Sequence, residues 1–349
     1  MVGKRAAIVK GLAGLALLCS MLLPGGAAAI GGPEIVQRLS QQREANGIPG
    51  GLVERPDWSA DCAKHNYYGA QTGELRHSED PSSPYYSAEG NWAAESSVLA
   101  SGSSWAQGNP WEEAPIHLIQ LLAPPLSEMG AAENDNHNCA TTWPGYHPEP
   151  ASLVAYSYPG NGVSGVVPTE RAAESPSVPG DQVGLPEGTA TGRYLLAYLW
   201  GVDPSNAPDV TATATLATGG GAIDLRVVDS TNEEIGGYMP QPSAFLIPAQ
   251  PLKPQTAYQA DVTWSMEGAQ LFEQRFGFTT GYNPGEAVVP IKKKRSARCA
   301  RYSRAARSLR RRGAVARRHH LEARSRRLTR LARHRSRQAK RCRVHSRLS

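Results

Sequence analysis

The feature that most constrains this chain is a change of hydrophobic period part-way along it. Before residue 125, apolar residues recur at helical spacing. Ile35, Val36 and Leu39, followed by Arg43, share one face behind Pro33, and Gly47 supplies a stop, which predicts a helix over 33–46. Ser59 can cap a second helix reaching about Gly69, and Ile116, Ile119 and Leu122 mark another between Pro115 and Pro124-Pro125. After residue 193 the period becomes two. Residues 257–264 alternate Tyr258, Ala260, Val262 and Trp264 with Gln259, Asp261 and Thr263, as a strand with one buried face requires. Segments 194–200, 210–216, 223–228, 244–247 and 271–279 are short, rich in β-branched or aromatic residues, and separated by Gly, Pro or Asn turns. The expected class is α+β, with the helices in the first half and an all-β second half.

At 349 residues the chain suits two domains, and its 35 Gly and 27 Pro favour loops over long helices. Pro168, Pro176, Pro179 and Pro186 give 166–188 the composition of a linker. Charge is divided unevenly. Residues 292–349 hold 24 Lys and Arg against one acid, Glu322, whereas 30–291 hold 10 basic and 30 acidic residues. An acidic body thus carries a strongly basic tail. At the other end, Lys4, Arg5 and Lys10 precede an apolar run at 11–23 and the small-residue site Ala27-Ala28-Ala29. That is the layout of a secretory signal, and the run is too short for a membrane span, so no transmembrane anchor is expected once the signal is removed. The expected divisions are a signal at 1–29, a first domain at 30–165, the linker, a β domain at 189–283 and the basic tail at 284–349.

Removing the signal leaves Cys62, Cys139, Cys299 and Cys342. Four cysteines allow three connectivities. The simplest for an exported chain pairs Cys62 with Cys139 and Cys299 with Cys342.

The stretch from His77 to His117 carries the chemistry. It contains Glu89-Gly90-Asn91-Trp92 and Glu95, and closes with Trp111-Glu112-Glu113-Ala114-Pro115-Ile116-His117. Neutral imidazoles and carboxylates are natural ligands of a borderline divalent metal. A His after a short helix, a Gly-led segment, and Trp-x-x-x-Pro-x-His resemble the CAP superfamily of cysteine-rich secretory, antigen 5 and pathogenesis-related proteins and their bacterial secreted relatives. Tyr156-x-x-Pro159-Gly160-Asn161, at a strand end, resembles the closing signature of that family. The resemblance covers about 33–165. It implies a three-layer α-β-α sandwich with His77 and His117 in a central cleft. Many members carry Gly-Glu-Asn where this chain has Gly90-Asn91-Trp92, which leaves Glu89 and Glu95 as replacement carboxylates. The second half looks like the immunoglobulin-like or fibronectin-like sandwich modules of bacterial surface proteins, which space, present or bind.

One reading of the cleft is a divalent ion, Zn2+ or another, on His77, His117, Glu89 and Glu95. The other is two histidines that hydrogen-bond across a polar cleft. His65 and His137 read as surface residues. Trp92, Trp105, Trp111 and Trp143 read as packing or as the wall of an apolar groove for a small or lipid ligand, and 134–138 as a polar turn. The tail is a polycation for anionic cell-wall polymers or lipids, without a motif for sequence-specific nucleic acid. The favoured function is a secreted, cell-surface, non-enzymatic CAP-type binding protein. The alternative is a metal-assisted extracellular hydrolase of cell-wall or other polymers, with Glu89 or Glu95 as general base.

Overall fold

The computed structural model describes residues 30–147 and 152–282 and a few positions between 305 and 333. Residues 1–29, expected to be a signal, and Cys299 and Cys342 with their expected pairing lie outside the described residues. The chain forms two compact units, Met1–Pro284 and Gly285–Ser349. In the second, the described positions are helical, among them Leu309 and 328–331.

The first unit is α+β. Its helical half comprises α1 (Gly32–Ala45), β1 (Val53–Glu54), α2 (Pro56–Thr72), α3 (Ala88–Ser96), β2 (Ser97–Ser101), α4 (Pro115–Leu121), β3 (Glu128–Met129), β4 (Ala131–Asn134) and β5 (His137–Thr141). The inner face of α1 is Ile35, Val36, Leu39, Ser40 and Arg43. Arg43 is fully buried, and its guanidinium donates to the carbonyls of Pro49, Leu121, Ala123 and Leu126 at 2.7–3.0 Å. These include carbonyls at the end of α4, where a helix leaves acceptors unpaired and favours a cation. Burial pulls the Arg43 guanidinium down to about 10, so it stays charged at neutral pH.

Helix α2 starts at Pro56, before Ser59, because proline suits a first turn. The Ser59 hydroxyl instead donates to Glu54 and accepts from the Ala131 amide. Gly73 ends α2 in the left-handed region, at φ 75°. Strands β2, β5 and β4 form an antiparallel sheet, and Asp135 and Asn136, both at positive φ, make its tight β4–β5 turn. Side chains alternate across this sheet. Leu99, Ala132 and Cys139 cluster with Cys62 of α2 and Ala93 of α3, whereas Val98, Ala131 and Ala140 join the core of α1 and α4. A disulfide joins Cys62 to Cys139, tying α2 to β5.

The second half comprises β6 (Val154–Tyr158), β7 (Val163–Val166), β8 (Leu195–Trp200), β9 (Val210–Thr218), β10 (Gly221–Ile223), β11 (Leu225–Asp229), β12 (Ser243–Pro248), β13 (Ala257–Met266) and β14 (Ala269–Thr280). They build a sheet ordered β11-β12-β8-β6 and another ordered β10-β9-β13-β14-β7. The segment read as one strand over 223–228 divides between the two sheets, as β10 and β11. The inward set Tyr258, Ala260, Val262 and Trp264 packs with Leu195, Ala197, Leu199, Ala244 and Leu246 between the sheets. The alternate residues Leu196, Tyr198, Phe245 and Ile247 join the core that holds α1 and α4. Both faces of β8 and β12 are therefore covered, which accounts for their nearly continuous apolar runs.

This shared core redraws the seam expected near residue 165. Strand β6 pairs with β8. In the Pro159-Gly160-Asn161 segment, the Gly160 amide donates to Asn46 and the Asn161 side chain accepts from the Gly277 amide. Gly160 lies so close to Asn46 that a Cβ would meet its carbonyl oxygen at 2.2 Å. The proline-rich stretch is not free-standing: Ala172 and Val178 are buried in the common core, and Glu170 bridges to Thr191.

Candidate functional site

His117 lies in the first turn of α4 behind Pro115, and it lines one cavity with His77 from the loop that follows α2. The two imidazoles stack with centroids 6.4 Å apart and planes inclined by 17°. They line a cavity of about 300 Å³ with Leu75, Leu99, Trp111 and Glu174. Trp111 is buried and donates from its indole to the Leu99 carbonyl at 3.1 Å, which fixes the cavity wall.

Each ring is held by its Nδ1. His77 Nδ1 bonds the Ala94 carbonyl at 2.8 Å, so it carries the proton. His117 Nδ1 bonds Glu174 Oε2 at 2.8 Å. Glu174 is the residue that sequence reading missed. It comes from the proline-rich stretch and also accepts the Ile116 and His117 amides at the start of α4. Its side chain is 1% exposed. Burial pushes its carboxyl up, opposed by His117 and those amides. Partial burial lowers His77, and the neighbouring His117 lowers it further.

A backbone carbonyl on one imidazole and a carboxylate on the other are the outer partners that orient metal-binding histidines. Among the described residues neither ring has a hydrogen-bond partner at Nε2, and an imidazole with a free Nε2 lone pair is a ligand type that suits a divalent ion. The expected carboxylates are elsewhere. Helix α3 turns Gly90, Ala93 and Ala94 inward. Glu89 lies exposed 3.5 Å from Lys64, and Glu95 accepts from Asn91 at the helix surface. Neither lines the cavity. Among the described residues, no group of three or more His, Cys, Asp or Glu is placed to hold a metal ion. Any ion on the histidine pair would draw its remaining ligands from water or a bound molecule.

Nearby, His65 is not at the surface. It is buried on α2, with Nδ1 3.0 Å from the buried Glu79 carboxylate. Glu79 also accepts the Ser87 amide, and its own amide donates to Asn91. Gly90 makes room for it, since a Cβ there would lie 2.5 Å from its carboxylate. The spacing Cys62, His65, Asn66, Gly69 on one face of α2 was the available signal. Trp105 and Trp111 are core residues, Trp92 packs on Trp58, and Trp143 is 41% exposed. His137 caps the polar turn, bonding the Asp135 carbonyl.

Among the described residues, no helix is long and apolar enough to cross a membrane. Compared with known protein families and with curated proteins, the sequence matches no family model and no curated protein.

Proposed function

We propose that this chain is a secreted, non-enzymatic binding protein of CAP type, whose cleft takes a divalent transition-metal ion between His77 and His117. One observation carries the reading: two histidines forty positions apart in sequence face each other in one cavity, each anchored through Nδ1 and each keeping Nε2 open. Helices on both faces of the β2-β5-β4 sheet support the CAP resemblance. The two sheets of the second half, packed over a common core, support an immunoglobulin-like or fibronectin-like module. Leu75, Leu99, Pro110 and Trp111 give the cavity an apolar wall suited to a small apolar ligand beside the ion. The basic tail would hold the protein at an anionic surface outside the cell.

A bound ion would supply Lewis acidity and open coordination positions. The chain's own residues do the rest: Ala94 and Glu174 orient the rings, and Trp111 closes the wall.

Hydrolysis is the second reading, favoured by the His117–Glu174 pair. A buried carboxylate behind an imidazole is an arrangement that lets the imidazole accept a proton. Glu89 and Glu95 would have no part in it, since both lie outside the cavity.

Calorimetric titration with ZnCl2 tests the first reading. The wild type should bind one ion, and His77→Ala and His117→Ala should each weaken binding at least about tenfold. Undiminished binding in the double variant would leave the pair a structural contact.

A further inference from the structure

A second cluster of ionisable groups lies apart from the cleft. Glu170 is 2% exposed. Its carboxylate accepts the Tyr194 amide at 2.9 Å and lies 3.4 Å from Nη1 of Arg193. The other terminal nitrogen of Arg193 bonds Glu112 and lies 3.5 Å from the Tyr158 hydroxyl. Glu112 also accepts from Tyr158 at 3.0 Å and from Gln42 at 2.5 Å. The guanidinium stands 5.4 Å over the Tyr158 ring. Two carboxylates therefore share one guanidinium, and with every group ionised the buried cluster carries one uncompensated negative charge. Such a charge is costly inside a protein unless a proton neutralises it.

The distribution of solvent decides which carboxylate takes the proton. The Glu112 side chain is 35% exposed and keeps contact with water, whereas that of Glu170 is 2% exposed. The groups facing Glu170 are Arg193 and the Tyr194 amide from the segment just before β8, and Glu112 and Glu113 from the segment before α4. Tyr158 from β6 faces the same guanidinium, and Glu174 and Asp181 reach the site through Tyr194. Arg193 is the one cation among them, and Glu113 adds a further negative charge.

Glu170 also begins the strap that supplies Glu174. It exchanges both backbone hydrogen bonds with Thr191 at 3.0 Å. Further along, the Ala173 amide donates to the Glu113 carbonyl, and Ala172 and Val178 are buried. The segment thus runs from the charge cluster to the carboxylate that holds His117 and the first amides of α4.

We infer that the Glu112–Arg193–Glu170 cluster takes up one proton, on Glu170, and that this proton fastens the strap carrying Glu174. Burial, opposed by Arg193, pushes the Glu170 carboxyl to about 7. A carboxyl raised in the folded state favours the protonated form there. Its stabilising effect is complete below the ordinary carboxyl range and is lost as pH rises through about 7.

Thermal and urea unfolding of wild type and Glu170→Gln between pH 5 and 8 tests it. Relative to the variant, the wild type should lose stability toward higher pH, its unfolding equilibrium constant rising by up to about tenfold per pH unit, the limit for one proton. The Ile116 and His117 amides, which donate to Glu174, should lose hydrogen-exchange protection above neutral pH in the wild type alone. The 13C titration of the wild-type Glu170 carboxyl needs no variant and should show a midpoint near neutrality. A midpoint in the ordinary carboxylate range, or the same pH slope in Glu170→Gln as in wild type, would overturn the proton site. Unchanged protection of the two amides would overturn its link to the strap.

Discussion

The buried Glu174 carboxylate and the partly exposed His117 imidazole pair at 2.8 Å across 57 residues of sequence. The carboxylate also gathers the first amides of α4, so one side chain sets both the direction of the helix start and the orientation of the ring. Replacing Glu174 by Gln keeps an acceptor for the amides but removes the charge behind the imidazole. Zinc affinity measured by calorimetry should fall by about 10–100-fold, the usual effect of losing an outer partner. The melting temperature should move little.

Arg43 separates structural from functional effects. Its guanidinium occupies carbonyls from the 49 turn and from 121–126, and neither it nor these partners line the cavity. Arg43→Ala would leave several buried acceptors unpaired and should destabilise by roughly 3–5 kcal/mol in urea unfolding. Arg43→Lys keeps the charge without the planar fork and should fall between the two.

His65 contributes to the acid side of the stability profile. Burial lowers it below its ordinary value, against the pull of Glu79. The fold therefore prefers the neutral ring. Its contribution is complete above about 6.5 and is lost as pH falls through the depressed folded value. Wild type should lose melting temperature below pH 6.5, and His65→Gln, which cannot titrate, should show a shallower fall in the same scan.

Much of this was readable from residue order. The α1 face and the alternation in β13 follow from periodicity, because each element buries one side only. The placing of His77 and His117 in one cleft was an expectation carried by the resemblance of their flanking motifs, not by periodicity or spacing. Glu174 was hidden because its neighbours, Pro168, Pro176 and Pro179, give the segment a linker composition. What ties it down is contact with the body, which composition does not encode. Glu89 and Glu95 looked suitable as ligands because proximity in sequence says little about direction. The winding of α3 leaves both exposed and outside the cavity while Gly90, Ala93 and Ala94 face inward. His65 was misread because a histidine in a polar run looks exposed until its spacing from Cys62 is counted.

Charge makes the tail separable from the cleft. The 24 basic residues beyond 291 should bind polyanions, whereas the acidic body should be repelled. A chain ending at Pro290 should lose cosedimentation with anionic cell-wall material or vesicles. Binding of the full chain should weaken by at least about tenfold as salt rises from roughly 50 to 200 mM. Equal binding by both chains would place the attraction elsewhere.

The most direct test of the cleft is 15N NMR of the histidine rings with and without one equivalent of Zn2+ near pH 7.5. The Nε2 resonances of His77 and His117 should move together at a single stoichiometric point, while Nδ1 of each stays protonated and His65 is undisturbed. Nε2 signals of the pair that stay in place, or movement confined to other histidines, would contradict a shared metal site.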